Sequence, residues 1–265
     1  MLAAERHHRI LDVVRQRHTA RVVDLATELG VSEMTIRRDL DALASDNLIN
    51  KVHGGAALRL GMSSEEPGFE TKLDRNSAEK EAIAAHAKAH VRPGSALGLG
   101  AGTTTWVLAH LLREVPDLTI VTNSPAIADV LSTSRNPVDH SVVLTGGVRT
   151  PSNALVGPLA VRALTDFNLD IVFLGAHGMS VNAGFTTPNM LEADTNRAFM
   201  RAANSTVILA DHTKWDTPGL SRIASFDEVD RVIVDDRISS AAHQAMSNAV
   251  VSRGAIEVAV VNGEK

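Results

Sequence analysis

Two groups of residues in this sequence could do chemistry, and the chemistry is recognition rather than bond-breaking. The first is a cluster of donors, Ser32, Thr35, Arg37 and Arg38, within the run VSEMTIRRDL. A guanidinium can meet a guanine edge with two hydrogen bonds or hold a phosphate. Arg37 and Arg38 could divide those tasks in either order. The second group is a set of polar, Gly-rich turns. Gly98-Leu99-Gly100-Ala101-Gly102-Thr103-Thr104-Thr105 is the longest of them, and Thr122-Asn123-Ser124, Thr145-Gly146-Gly147 and Gly175-Ala176-His177-Gly178 are similar in kind. Glycines let backbone amides approach an anion, threonine hydroxyls add donors, and a helix starting there contributes its dipole. The scattered Ser, His and Asp residues show no nucleophile-elbow spacing, so a hydrolase has no support.

The donors need a helix to present them. Val22, Leu25, Ala26 and Leu29 recur at helical spacing, and Gly30 follows where a left-handed C-cap would sit. Ser32 can N-cap a second helix, whose Ile36, Leu40 and Leu43 form a stripe facing the first. Thr35, Arg37, Arg38 and Asp41 fall on other faces. The layout is a helix-turn-helix with donors near the start of the exposed helix. Leu48 to His53 then alternates like a strand, and Gly54-Gly55 permits the reversal of a two-stranded wing, which would bring Lys51 and His53 near the phosphate backbone. Ile10, Leu11, Val13 and Val14, within residues 6–17, complete a three-helix head. Arg6, Arg9, Arg15 and Arg17 mostly read as a solvated face.

The Gly-rich turns need strands. Residues 59–77 carry Gly, Ser, Glu and Pro with little periodicity and read as a linker. Beyond Ala78, helices alternate with short apolar runs at Ser95–Leu99, Leu118–Val121, Ser141–Leu144, Ile171–Leu174, Val207–Ala210, Arg231–Val234 and Ile256–Val261. That alternation predicts an α/β domain with a mostly parallel sheet. Ligands of such sheets bind outside the carboxyl ends of the strands, where the Gly-rich turns fall. The expected organisation is a DNA-binding head over 1–58, a linker over 59–77, and an α/β effector-binding and oligomerisation domain over 78–265.

Composition narrows the class. Aromatic residues make up only 3% of the 265, with no tyrosine, which disfavours base-stacking on single strands or RNA. The absence of cysteine excludes disulfides and thiolate metal sites. No apolar run approaches the roughly 18 residues of a membrane helix, and the polar opening is unlike a signal peptide, so the expectation is a cytoplasmic protein with no membrane partner. The net charge of -5 resides wholly outside the head, since residues 1–58 hold 8 Lys/Arg and 8 Asp/Glu. A neutral head implies modest non-specific affinity and a need for a homo-oligomer, dimer or tetramer, to gain avidity. His86 and His90 stand four apart on a helix, a spacing that can ligate zinc. No third ligand accompanies them in sequence, so they read as surface histidines. His177 and His212 read as polar ligand contacts rather than metal ligands.

The run TIRRDLDALASDNLINKVHGGA resembles the N-terminal signature of the DeoR-type bacterial transcription regulators. The segment GFTTPNMLEADTNRAFMRAANSTVILADHTKW resembles their C-terminal sensor domain. The resemblance implies a sensor related in fold to ribose-5-phosphate isomerase, with phosphorylated sugars or sugar-like metabolites as effectors and no further cofactor. It implies that Gly102, Thr103 and Thr104 hold the phosphate and that Asn123 and Gly147 line the pocket; Lys214 reads either as a cation beside it or as a surface lysine. Three positions depart from the family pattern: many members carry an acid at the place of Gly100, an acid at that of His177 and a lysine at that of Asn196. An isomerase would need such groups for proton transfer, so a non-enzyme is expected. The full reading is a repressor of a sugar or polyol catabolic operon, binding double-stranded operator DNA and released by a phosphorylated effector. The rivals are a sugar-phosphate isomerase with a DNA-binding appendage and a regulator that senses no small molecule.

Overall fold

The computed structural model describes residues 3–17, 19–45, 48–52, 54–58, 68–132, 140–250 and 254–261. The chain divides into two compact units, Met1–Leu60 and Gly61–Lys265. In the first, α1 (Ala3–Arg17), β1 (Thr19–Arg21), α2 (Val22–Leu29) and α3 (Glu33–Ser45) precede β2 (Ile49–Val52) and β3 (Gly55–Leu58). Ile10 and Val14 of α1, Leu25 of α2, and Ile36, Leu40 and Leu43 of α3 are buried in one core with Ile49. Burial of each such side chain contributes about 1.5–3 kcal/mol. Gly30 closes α2 in the left-handed conformation, φ 66°, its amide donating to the Ala26 carbonyl. The sheet has three strands, in the order β1-β3-β2, where the sequence predicts two. The extra strand holds only three residues, and Gly55 admits it: a Cβ there would lie 2.2 Å from the Ala20 carbonyl oxygen.

The second unit opens with α4 (Phe69–Leu73) and α5 (Ser77–Lys88). The linker expected over 59–77 therefore does not extend to 77; its residues 59–67 lie outside the described residues. Phe69 is buried, packs edge-on against Trp106 with centroids 6.4 Å apart, and donates its amide to the Pro151 carbonyl at 3.2 Å.

The elements that follow are β4 (Ala96–Leu99), α6 (Thr103–Leu112), β5 (Thr119–Thr122), α7 (Pro125–Ser132), β6 (Ser141–Leu144), β7 (Val148–Arg149), β8 (Leu155–Val156) and α8 (Pro158–Leu164). Then come β9 (Ile171–Gly175), β10 (Gly178–Ser180), β11 (Gly184–Thr187), α9 (Met190–Ala202), β12 (Thr206–Leu209), β13 (Ser221–Ala224), β14 (Arg231–Asp235), α10 (Ser240–Ala249) and β15 (Ala255–Ala259). Seven strands form a parallel sheet in the order β15-β14-β12-β9-β4-β5-β6.

The sheet is covered on both faces, which is why its strands read as unbroken apolar runs. Phe173, Val207, Leu209 and Ile233 pack with α5, α6 and α7, whereas Val172, Leu174, Ile208, Val232 and Val234 pack with α8, α9 and α10. An antiparallel sheet, β10-β11-β13, and the β7–β8 hairpin complete the unit. Among the described residues no helix is long and apolar enough to cross a membrane.

Candidate nucleic-acid interface and ligand crevice

Ser32 starts α3 as expected: its hydroxyl accepts from the Thr35 amide at 3.2 Å and shares a hydrogen bond of 2.9 Å with the Thr35 hydroxyl. The two hydroxyls thus serve the helix start. Arg37 and Arg38 lie exposed on the face away from the core. Arg37 pairs with Glu33 one turn earlier at 3.4 Å, with both side chains at least half exposed, and exposed pairs of this kind are worth only a few tenths of a kcal/mol. Arg37 is therefore cheap to redirect. Met34, 62% exposed, shares the early part of the helix.

The orientation of α3 depends on a buried charge. Asp39, 5% exposed, accepts from Arg6 Nε at 2.5 Å and Nη2 at 2.9 Å, and lies 3.0 Å from His7 Nε2. Arg6 is thus a strut between α1 and α3, not part of a solvated face. Burial would push the Asp39 carboxyl up, but the hydrogen bonds from Arg6 and His7 outweigh it and hold it below the usual range. On the wing, Lys51 pairs with Asp41 of α3, both more than half exposed. Gly54 makes the reversal at φ 78°, and Gly55 meets β1 as above. His53, expected near phosphate, lies outside the described residues.

In the second unit the Gly-rich turns sit at the carboxyl ends of β4, β5, β6 and β9. Thr105 turns inward: it is fully buried, and its hydroxyl donates to the carbonyls of Gly100 at 2.7 Å and Gly102 at 3.0 Å. Thr103 and Thr104 take no hydrogen-bond partner through their hydroxyls among the described residues, and they open α6, whose first amides lack helical acceptors. Asn123 is a clasp, accepting from the Ala101 amide at 2.8 Å and donating to the Leu155 carbonyl at 3.0 Å. It ties the β4 turn to the β7–β8 hairpin. Gly146 and Gly147 both have positive φ, 74° and 125°, and a Cβ on Gly147 would lie 2.5 Å from the Val156 carbonyl oxygen. His177, half-buried, donates its amide to the Thr186 carbonyl at 2.9 Å.

A charged group lies at the end of β12. Asp211, 1% exposed, accepts through Oδ1 from Asn76 at 3.2 Å and from the amide and hydroxyl of Thr213. Its Oδ2 takes no hydrogen bond among the described residues and stands 3.8 Å from Lys214 Nζ. Burial would raise the Asp211 carboxyl, but Lys214, the Thr213 hydroxyl and His212 outweigh it and hold it low. His212 gives its backbone amide to Asp235 at 2.6 Å, and its Nδ1 lies 2.9 Å from the same carboxylate. Close by, Lys80 reaches the carbonyls of Lys72 and Leu73, and burial lowers its pKa to about 8.

Comparison with known proteins places both units. Residues 6–59 match the DeoR-like helix-turn-helix domain, and residues 75–236 match the DeoR C-terminal sensor domain. The chain belongs to the DeoR family of transcription regulators. It is 37% identical over 253 residues to the HTH-type transcriptional regulator GlpR of Haloferax volcanii, covering 95% of this chain and 97% of that one. It is 31% identical over 236 residues to the glycerol-3-phosphate regulon repressor of Escherichia coli K12, covering 89% and 92%. Among solved structures, ribose 5-phosphate isomerase A of Methanocaldococcus jannaschii is 18% identical over 54% of this chain and 56% of that one, with a TM-score of 0.40. Nothing about chemistry transfers at that distance.

Gly100 and Asn196, where the resemblance leads one to expect an acid and a lysine, are neighbours. A Cβ on Gly100 would lie 2.6 Å from Leu174 Cδ2 and 3.6 Å from Asn196 Oδ1. Glu192, on the same helix as Asn196, accepts from the hydroxyls of Thr150 at 3.1 Å and Thr187 at 2.9 Å. The Glu192–Thr150 contact, like that of Asp39 with Arg6, joins residues far apart in sequence and leaves no local signal.

Proposed function

We propose that this DeoR-family regulator represses a sugar or polyol catabolic operon in the cytoplasm and is released by a phosphorylated, sugar-like effector. Two heads of a homo-oligomer engage the major groove of double-stranded operator DNA through Arg37 and Arg38, with Lys51, His53, Gly54 and Gly55 of the wing against phosphate. The effector's phosphate lies at the start of α6 on Gly102, Thr103 and Thr104, flanked by Gly100, Gly146, Gly147, His177 and Asn196, with Lys214 as the counter-charge. The observation that carries the effector reading is the pair of hydroxyls without partners among the described residues, Thr103 and Thr104, beside the free first-turn amides of α6. Binding shifts the relative placement of the paired heads, so that the half-sites no longer match. A 100-fold release needs about 2.7 kcal/mol of coupling, within the usual allosteric range. No further cofactor takes part and no turnover is assigned, because proton transfer needs a positioned acid or base, and the acids expected at 100 and 177 are replaced by Gly100 and His177.

The experiment is anisotropy of labelled DNA from upstream of the protein's own locus, titrated at two salt concentrations and then with a panel of sugar and polyol phosphates. Tight, salt-sensitive binding relieved by one compound is expected. Specific binding that no compound alters would remove the effector reading and keep the DNA one. Turnover of any compound in the panel would restore the isomerase.

A further inference from the structure

The edge strand β15 and the end of α5 carry a second cluster that neither DNA recognition nor effector binding uses. His86 lies on α5, and His90 stands four residues on, in the turn that ends it, so both imidazoles leave the same side of the helix. The third group comes from 167 positions further along the chain: Glu257, on the edge strand β15, receives both rings on one oxygen. Its Oε2 lies 2.9 Å from His86 Nε2 and 2.7 Å from His90 Nε2. The three ligand atoms fall within 4.8 Å of one another. The other carboxylate oxygen, Oε1, is held by Arg231 Nη1 at 2.7 Å, which fixes the carboxylate plane and leaves Oε2 for the histidines.

From this convergence we infer a divalent transition-metal site, formed by His86 Nε2, His90 Nε2 and Glu257 Oε2, with water in the fourth position. Two imidazoles and one carboxylate suit zinc and its neighbours rather than magnesium or calcium, which prefer all-oxygen shells. With metal–ligand bonds of 2.0–2.1 Å, tetrahedral donors sit about 3.4 Å apart. Each nitrogen must draw back from Oε2 by roughly half an ångström, and the two nitrogens, within 4.8 Å of one another, must settle at a similar spacing, to admit the ion. Each Nε2 would then present its lone pair, with the ring proton on Nδ1. The side chains are 38%, 24% and 19% exposed, open enough for a hydrated ion to enter. His90 and Arg231 also line a shallow cavity of about 470 Å³ with Ser95, Asp170 and Ser205, at the amino ends of the strands. A metal there bonds α5 to the last strand of the sheet and acts apart from the effector.

The test uses the untagged full-length chain, stripped with a chelator and titrated with Co²⁺. One equivalent is expected to bind, with the intense visible absorption of a tetrahedral site, and Zn²⁺ is expected to displace it. His86→Gln, His90→Gln and Glu257→Gln should each weaken Zn²⁺ binding at least tenfold with the circular-dichroism spectrum unchanged, whereas His243→Gln on α10 should not. A weak, octahedral-type Co²⁺ spectrum of the wild-type chain overturns the site without recourse to any variant. So does a stoichiometry spread over several histidines, or retention of the tetrahedral spectrum in Glu257→Gln.

Discussion

The recognition helix and the crevice spend their polar side chains in opposite ways. On α3, Arg37 and Arg38 are exposed, and among the described residues Arg37 is held only by Glu33 at 3.4 Å, so both guanidinium groups can turn to a partner. At the strand ends, Asn123, Thr105, Glu192 and Asp235 are all engaged with other parts of the protein. What remains to meet a ligand includes backbone, the Thr103 and Thr104 hydroxyls and Lys214. A surface that reads a large, charged polymer can keep its donors in water until contact. A concave site lined by buried residues must first satisfy them, because an unpaired buried polar group costs about 1–3 kcal/mol. The first kind of surface is therefore written in residue types, and the second mainly in the loops those residues hold.

The contrast breaks most severely at Asp39, the buried exception within the head. Asp39→Ala removes the acceptor that Arg6 and His7 share and should loosen the seating of α3 on α1. DNA binding should be lost while the thermal transition of the second unit, followed by calorimetry, stays in place. In the crevice, Gly102→Val with Thr103→Ala should abolish effector-induced stabilisation, about 2.7 kcal/mol at a hundredfold excess over Kd, and leave operator affinity intact. Arg37→Ala should weaken operator binding by about 1–3 kcal/mol, by anisotropy, with the effector response preserved. If either of these last two altered both activities equally, the division between an exposed reader and a buried sensor would fail.

The last effect is one of pH. Lys80 has a pKa of about 8 in the folded chain, against the 10.5 of an ordinary, solvated lysine. Between those values the unfolded state holds the extra proton, so this group makes stability rise with pH from about 8 to about 10.5 and adds no slope below. Urea midpoints at about pH 7.5 and about pH 9.5 should show that rise in the wild type and lose it in Lys80→Met.

Periodicity and turn chemistry make part of the molecule legible from its sequence. The cap at Gly30, the stripe of Ile36, Leu40 and Leu43, and the strands β4, β5, β6, β9, β12 and β14 all appear where their apolar spacing puts them. Three-residue β1 and the Gly- and Thr-rich β10 and β11 carry too few apolar residues to register as strands. Helix α4, five residues long behind Gly68, reads as linker for the same reason. In the site, residue types point to Thr103 and Thr105 alike, and only the direction of the hydroxyls separates them. Glu257 illustrates the hardest case: nothing near it in the chain announces a pair of histidines, because the parallel order of β14 and β15 against α5 is what brings them together.

Asp211 has a consequence for selectivity. Its carboxylate already occupies the neighbourhood of Lys214, so the cation there has a resident counter-ion held rigidly by Asn76 and Thr213. An anion drawn to Lys214 enters an exchange, not an open seat, and must offset the repulsion of a fixed negative charge a few ångströms away. Chloride or inorganic phosphate brings only its charge to that contest. Under the effector reading proposed above, a ligand that also hydrogen-bonds along the strand ends would bring more, and the Asp211 carboxylate would favour it over simple anions.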